Sequence, residues 1–172
     1  MEISLVASDS LKIRSKHSTL MVNDIGKGIV YQGVLIIGKD MDSSHLPVNI
    51  PVISGPGEYE IGGIKITGIP DGHTIYSMHI DGIDVLLTTT SALEKMHSKL
   101  KEHHIIVLRE DDSFPPSSLI ALSPRVLLVY GEGSEKIVKS LSKEDVNQSN
   151  KYLTSLEKLP LELEVVLLSS NP

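Results

Sequence analysis

VISGPGEYEIGGIKITGI, running from Val52 to Ile69, spells three short strands and the two turns between them. Five of the chain's thirteen glycines fall within it, so its turns are written more explicitly than any others in the sequence. Pro56 fixes one φ between Gly55 and Gly57, and either glycine can take positive φ without a steric cost. Gly62-Gly63, between Glu60-Ile61 and Ile64-Lys65, has the form of a two-residue hairpin turn of the primed type. The stretch therefore predicts strand, turn, strand, hairpin, strand.

The same alphabet extends outward on both sides. Ile3 and Leu5, then Leu11 and Ile13, then Leu20 and Val22 alternate with polar neighbours, which predicts an antiparallel meander with one wet face. Val34 to Ile37 is a continuous apolar run of the kind buried on both faces, and it opens into a polar loop, Gly38 to His45. After the opening stretch, Thr74 to Ile80 and Ile83 to Leu87 flank Asp81-Gly82, a second hairpin signal. Then the period changes. Leu93, Met96, His97 and Leu100 share a helical face, and Ser91 with Glu94 reads as a capping box. Buried strands at Ile105 to Leu108 and Val126 to Tyr130 follow, with a short helix predicted from Ser117 or Ser118 between them. Gly131-Glu132-Gly133 and a helix capped by Ser134 come next, and Leu163 to Leu168 is a last strand.

Composition bounds the function. With 172 residues, 40% apolar and 22% charged, the chain fits one globular domain, residues 1–172. Sixteen basic against 22 acidic residues leave a net charge of −6 with no basic run, which argues against nucleic acid and anionic membranes as partners. There is no cysteine, so disulfides, thiolate catalysis and Cys-ligated metals are excluded. No apolar stretch approaches the ~20 residues of a membrane span, and the N-terminus has no leader-like core, so a soluble cytoplasmic protein is expected. Aromatic residues are only 3%, which leaves an aliphatic core and few stacking platforms for bases or sugars.

VISGPGEYEIGGIKITGI followed by HTIYSMHIDGIDVLL resembles the middle of the metallo-β-lactamase-like hydrolases, in particular the bacterial subgroup related to ascorbate-6-phosphate lactonases. MEISLVASDSLKI and LEKLPLELEVVLLSS resemble that subgroup's two ends. The resemblance implies the α+β class and a four-layer αββα sandwich, here shortened in the loops. It places an active site at the edge between two sheets, where loops converge on one or two metal ions that turn a bound water into a nucleophile.

The ligands that the resemblance implies are not spelled here. Its first motif is His-x-His-x-Asp-His after a buried strand; the matching loop puts Lys39 and Met41 at the first two histidines and Ser43 and Ser44 at the last two positions. A shift by one recovers Asp42 alone. Where a bridging Asp is expected after Leu86-Leu87 the chain reads Thr88-Thr89-Thr90-Ser91, and where a final His is expected after Val129 it reads Tyr130-Gly131-Glu132. In the first hairpin, Ala7-Ser8-Asp9 stands where relatives write Gly-His-Ser. Hydroxyl and thioether groups are poor ligands for hard or borderline cations, and Lys39 would repel one.

The histidines add little. His103-His104 enters a strand with its side chains on opposite faces, so the pair cannot hold one ion, while His17, His73 and His79 lie in or beside turns and His97 on a helix. Only His45, with Asp40 and Asp42, has metal-like spacing, and the bland reading is a solvated acidic loop. Glu58 and Glu60 share a strand face as a possible acid/base pair, but they belong to the hairpin scaffold. Glu110-Asp111-Asp112 reads as a solvated acidic turn, and Gly131-x-Gly133 without a lysine makes a poor phosphate loop. No Gly-x-Ser-x-Gly elbow occurs.

The expectation is a catalytically inactive member of that fold, a pseudoenzyme without metal or cofactor, in a binding or scaffolding role as a homo-oligomer or beside a protein partner. Two alternatives stand beside it. One is a hydrolase with zinc or manganese in a rearranged site of Asp24, Asp40, Asp42 and His45. The other is small-anion binding in a vacated cleft lined by Lys39, Thr88, Thr90, Tyr130 and Glu132.

Overall fold

The computed structural model describes residues 1–24, 28–38, 49–70, 75–112, 119, 121–141 and 146–170. In chain order the first strands are β1 (Glu2–Ala7), β2 (Ser10–Arg14), β3 (Thr19–Val22), β4 (Gly33–Leu35) and β5 (Val52–Ile53). Then come β6 (Gly57–Ile61), β7 (Ile64–Ile69), β8 (Ile75–Ile80), β9 (Ile83–Thr89) and the helix α1 (Thr90–Met96). The rest is β10 (Ile105–Arg109), β11 (Val126–Tyr130), helix α2 (Ser134–Ser140), β12 (Asn147–Ser149), β13 (Lys151–Leu153) and β14 (Glu164–Leu168).

Among the described residues the strands form two sheets. One has the order β13-β1-β2-β3-β4-β5 and the other β12-β14-β11-β10-β9-β8-β7-β6. The stretch Val52 to Ile69 folds into the three strands read from it, but they do not form one meander. β5 ends the first sheet and the β6–β7 hairpin begins the second, so Gly55-Pro56-Gly57 is the crossing between layers. Gly57 takes φ 145 there, and the Tyr59 hydroxyl closes the crossing by donating to the carbonyls of Gly55 and Pro56 at 3.2 and 3.1 Å. Gly62 and Gly63 both have positive φ, as do Asp81 and Gly82, so both predicted hairpins are formed.

The period-2 pattern explains the layering. Ile3, Leu11, Ile13, Leu20, Val22 and Leu35 of the first sheet meet Ile64, Ile66, Met78, Val85, Leu87, Val107 and Leu128 of the second in one dry core. The opposite face of the second sheet, with Leu86, Ile106, Leu108, Leu127 and Val129, packs under Ala92 and Leu93 of α1 and Ile137 and Val138 of α2. The described residues thus supply three of the four expected layers. β9, β10, β11 and β14 run parallel, so their C-terminal ends share one edge.

Several local expectations change. The first strands are an antiparallel meander only as far as β3; β3, β4 and β5 pair in parallel. Helix α1 is capped by Thr89, whose side chain accepts from the Ala92 N–H, rather than by Ser91. Helix α2 is capped at Gly133, while the Ser134 hydroxyl turns back to the Gly131 carbonyl at 2.8 Å. Strands β12 and β13 have no counterpart in the sequence reading. The helix expected from Ser117 or Ser118 begins outside the described residues.

Candidate functional site

The edge at which β9, β10 and β11 end is where the resemblance to metallo-β-lactamase-like hydrolases implies that metal ligands would gather. In β10 the inner-face residues Ile105 and Val107 are continued by Arg109. Parallel register sets Arg109 beside Tyr130 on one side and Thr89 on the other. A charged residue thus ends a row of otherwise apolar, core-facing positions.

Its counter-ion comes from the other sheet. Asp9, in the β1–β2 turn, takes the Nε–H of Arg109 at 3.4 Å through Oδ1 and lies 3.3 Å from Nη2 through Oδ2. This side-on pairing uses one edge of the guanidinium and leaves Nη1 outside it. Burial by itself disfavours the charged form of Arg109, but the bond to Asp9 and the charges of Asp9 and Asp111 outweigh it and hold its pKa above the usual arginine value. The guanidinium is a permanent cation at this edge.

Gly38 is held against that cation. The Asn23 side chain, on a residue with φ 54, donates from Nδ2 to the Ile37 carbonyl at 3.0 Å and accepts from the Ile37 N–H at 2.9 Å. Gly38 follows with φ 85, and a Cβ there would come within 2.7 Å of Arg109 Nη1. A side chain at position 38 would therefore be strained and would collide with the guanidinium.

Tyr130 is fully buried, and its hydroxyl has no hydrogen-bond partner among the described residues. Burial drives its pKa far above the ordinary phenol range, against the pull of the neighbouring Arg109. A phenol that stays protonated can donate a hydrogen bond but is a poor metal ligand.

The threonines are already engaged. The Thr90 hydroxyl donates to Asp111 Oδ1 at 2.6 Å and accepts from the Asp111 and Asp112 N–H groups. Thr88 alternates onto the outer face, level with Leu108, and donates to the Thr89 carbonyl; it does not line the cleft between the sheets. Glu132 is exposed in the turn before α2, and Asp24 follows the Asn23 clasp. Lys39, Asp40, Asp42 and His45 lie outside the described residues, as does His73. Among the described residues no three His, Asp or Glu side chains come together in a way that could hold a metal ion.

The acidic turn is exposed, as the sequence implies, and it is also bolted to the neighbouring strand end. Asp111 accepts from Thr90 and from both the N–H and the hydroxyl of Ser91, at 2.6, 2.9 and 2.7 Å. Partial desolvation raises its pKa, but these bonds outweigh that and hold it below the usual carboxylate value. Glu110 accepts from the Gly133 N–H at 3.0 Å; its carboxylate fills the space over Gly133, and its backbone lies against Gly131, where an anion would have to sit. The paired glycines make room for Glu110, Gly131 for its backbone and Gly133 for its carboxylate. A groove of about 500 Å3 beyond this turn is lined by Glu110, Asp111, Asp112 and Lys136.

The opposite end of β10 gathers polar side chains too. His103 Nδ1 donates to the Lys101 carbonyl at 2.8 Å, so its Nε2 accepts from the Ser77 hydroxyl at 2.7 Å. Asp84 joins His79 at 2.7 Å and gives its N–H to His104 Nδ1 at 3.0 Å. His103 and His104 lie just before β10 and engage different partners, the Ser77 hydroxyl and the Asp84 N–H. His97 bonds the Glu94 carbonyl at the end of α1, and Glu58 and Glu60 stay on the edge hairpin.

Arg109 and its pairing with Asp9 were missed by the sequence reading. The available signal was a lone arginine completing the inner-face alternation of IIVLR.

No family model matches this sequence, and no curated protein matches it. Among solved structures it is similar to a Thermotoga maritima protein described as a candidate zinc-dependent hydrolase of the metallo-β-lactamase superfamily. That match has a TM-score of 0.71 and 16% identity, over 97% of this chain and 98% of that one. It is also similar to a candidate metal-dependent hydrolase of Parabacteroides distasonis, with a TM-score of 0.60 and 14% identity over 95% and 91% of the two chains. A variant of the CmlA β-hydroxylase matches with a TM-score of 0.61 and 8% identity, over 98% of this chain and 52% of that one. At these identities the likeness establishes the fold: the chain has the metallo-β-lactamase-like architecture. No helix among the described residues is long and apolar enough to cross a membrane.

Proposed function

We propose that this chain, built on the metallo-β-lactamase-like fold, works without a resident metal and without hydrolysis, in a binding or scaffolding role in the cytoplasm. The observation that carries this reading is the Arg109–Asp9 pair, which sets a permanent positive charge at the edge where the fold's hydrolases would collect cations. The pairing also commits Asp9, the nearest carboxylate, to the guanidinium rather than to a metal ion. The donors around it do not fit a metal: the Thr90 hydroxyl is saturated by Asp111 and Asp112, and the Tyr130 phenol stays protonated. Metal analysis of protein purified without chelator tests this. Substoichiometric metal, unchanged by Asp42→Ala, is expected; one equivalent of zinc, manganese or iron that is lost in Asp42→Ala and His45→Ala would replace this reading with the rearranged site of Asp24, Asp40, Asp42 and His45.

A further inference from the structure

Two sets of hydrogen-bond donors at this edge lack partners among the described residues. Arg109 spends Nε and Nη2 on Asp9, and Nη1 has none. Beside it in register, the buried Tyr130 hydroxyl has none either. An unmade bond to a fully buried hydroxyl is a standing cost that an acceptor oxygen would remove. Gly38 itself places no side chain next to Nη1.

We propose that Nη1 of Arg109 and the hydroxyl of Tyr130 together receive the carboxylate of a small molecule. This inference rests on the metal-free reading, since a metal at this edge would compete for the same space and for the same anion. The guanidinium side chain is 22% exposed, so the ligand approaches from its side, and Tyr130 stands next to it in register on β11. Donors on two sides suit a carboxylate, whose two oxygens each accept. A monoanion is favoured over phosphate because the surroundings are acidic: Asp9 is in contact with the guanidinium, Asp111 acts on it at longer range, and the chain carries a net charge of −6. One arginine with a resident counter-ion supports millimolar affinity for a bare carboxylate.

The test is a titration of the full chain with acetate and, separately, inorganic phosphate, following the Arg109 Nε–Hε resonance and the near-ultraviolet tyrosine signal. With no tryptophan, the second readout comes from the five tyrosines, and Tyr130→Phe identifies the part that belongs to Tyr130. Acetate is expected to saturate both signals in the millimolar range, with phosphate weaker. Arg109→Gln should weaken acetate binding at least about tenfold. Tyr130→Phe, which removes only an unpartnered hydroxyl and keeps the ring packed, should fold normally and weaken it several-fold. Arg109→Lys, which keeps the charge, should restore only part of the affinity. The proposal is overturned if acetate binds the wild type no better than Arg109→Gln, if Tyr130→Phe leaves its affinity unchanged, or if phosphate binds more tightly than acetate. Metal content is measured on the same samples. Metal-free protein that ignores acetate sinks this proposal alone, whereas anion binding that vanishes on chelation sinks the metal-free reading as well.

Discussion

Tyr76 and Tyr130 stand on the same inner face of the second sheet, both with no exposed surface. Their polar ends are treated in opposite ways. The Tyr76 hydroxyl lies 3.0 Å from the Ile36 carbonyl and 3.0 Å from the Ile53 carbonyl, so a side chain of one sheet is tied to the backbone of the other. The Tyr130 hydroxyl has no partner among the described residues. The first is a spacer that completes the sandwich; the second marks the edge where the sandwich keeps hydrogen-bonding capacity unspent. What separates them is location: Tyr76 is tied across to the other sheet, and Tyr130 stands at the end of β11 in register with Arg109.

The sharpest way to break this comparison is to remove both hydroxyls separately. Tyr76→Phe strands the Ile36 carbonyl without its side-chain donor and should cost about 1–3 kcal/mol in urea unfolding. Asp111→Asn comes next, at about 1 kcal/mol near neutral pH, because it weakens the bolt from Thr90 and Ser91 at an exposed site. Its folded pKa is depressed, so the stabilisation is full above the unfolded carboxylate value and is lost as pH falls through the folded one. The gap between wild type and Asp111→Asn should therefore close in acid, below about pH 4. Equal gaps at pH 3 and pH 7 would rule this out. Burial likewise holds the His103 pKa below 6.5, outweighing its bond to the Lys101 carbonyl and the charge of Asp84. The folded chain then binds fewer protons than the unfolded one just below that pH, and a small loss of stability there should be absent in His103→Gln. Tyr130→Phe should change stability least, by no more than about 0.5 kcal/mol and in the stabilising direction if at all. If it costs as much as Tyr76→Phe, the two hydroxyls are equivalent and the comparison fails.

The sandwich was legible because its information is local. Alternation in KITGI and MHI, Gly62-Gly63 and Asp81-Gly82 each act within a few residues, and the structure forms each of them. The crossing at Gly55-Pro56-Gly57 was legible as a turn but not as a change of sheet, since the same dihedrals serve both. Strands β12 and β13 escaped because NQS and KYL carry almost no apolar pattern and are held as sheet edges by β14 and β1. The site was legible mainly as missing letters. Its positive content rests on pairs far apart in sequence, Asp9 with Arg109 and Glu110 with Gly133, and single-residue spacing carries no trace of either. Even the cap of α1 moved from Ser91 to Thr89, because Ser91 was recruited by Asp111 across the strand ends.

The central claim is that Arg109 occupies, as a charge, the place of a metal. It is tested most directly by adding zinc to isotope-labelled, chelator-free protein while watching the Arg109 Nε–Hε resonance. The account predicts that this resonance stays on its Asp9-paired position, with no saturable change at one equivalent. A saturating shift at one equivalent of zinc, abolished in His45→Ala, would mean that the edge still assembles a metal site and would contradict the account.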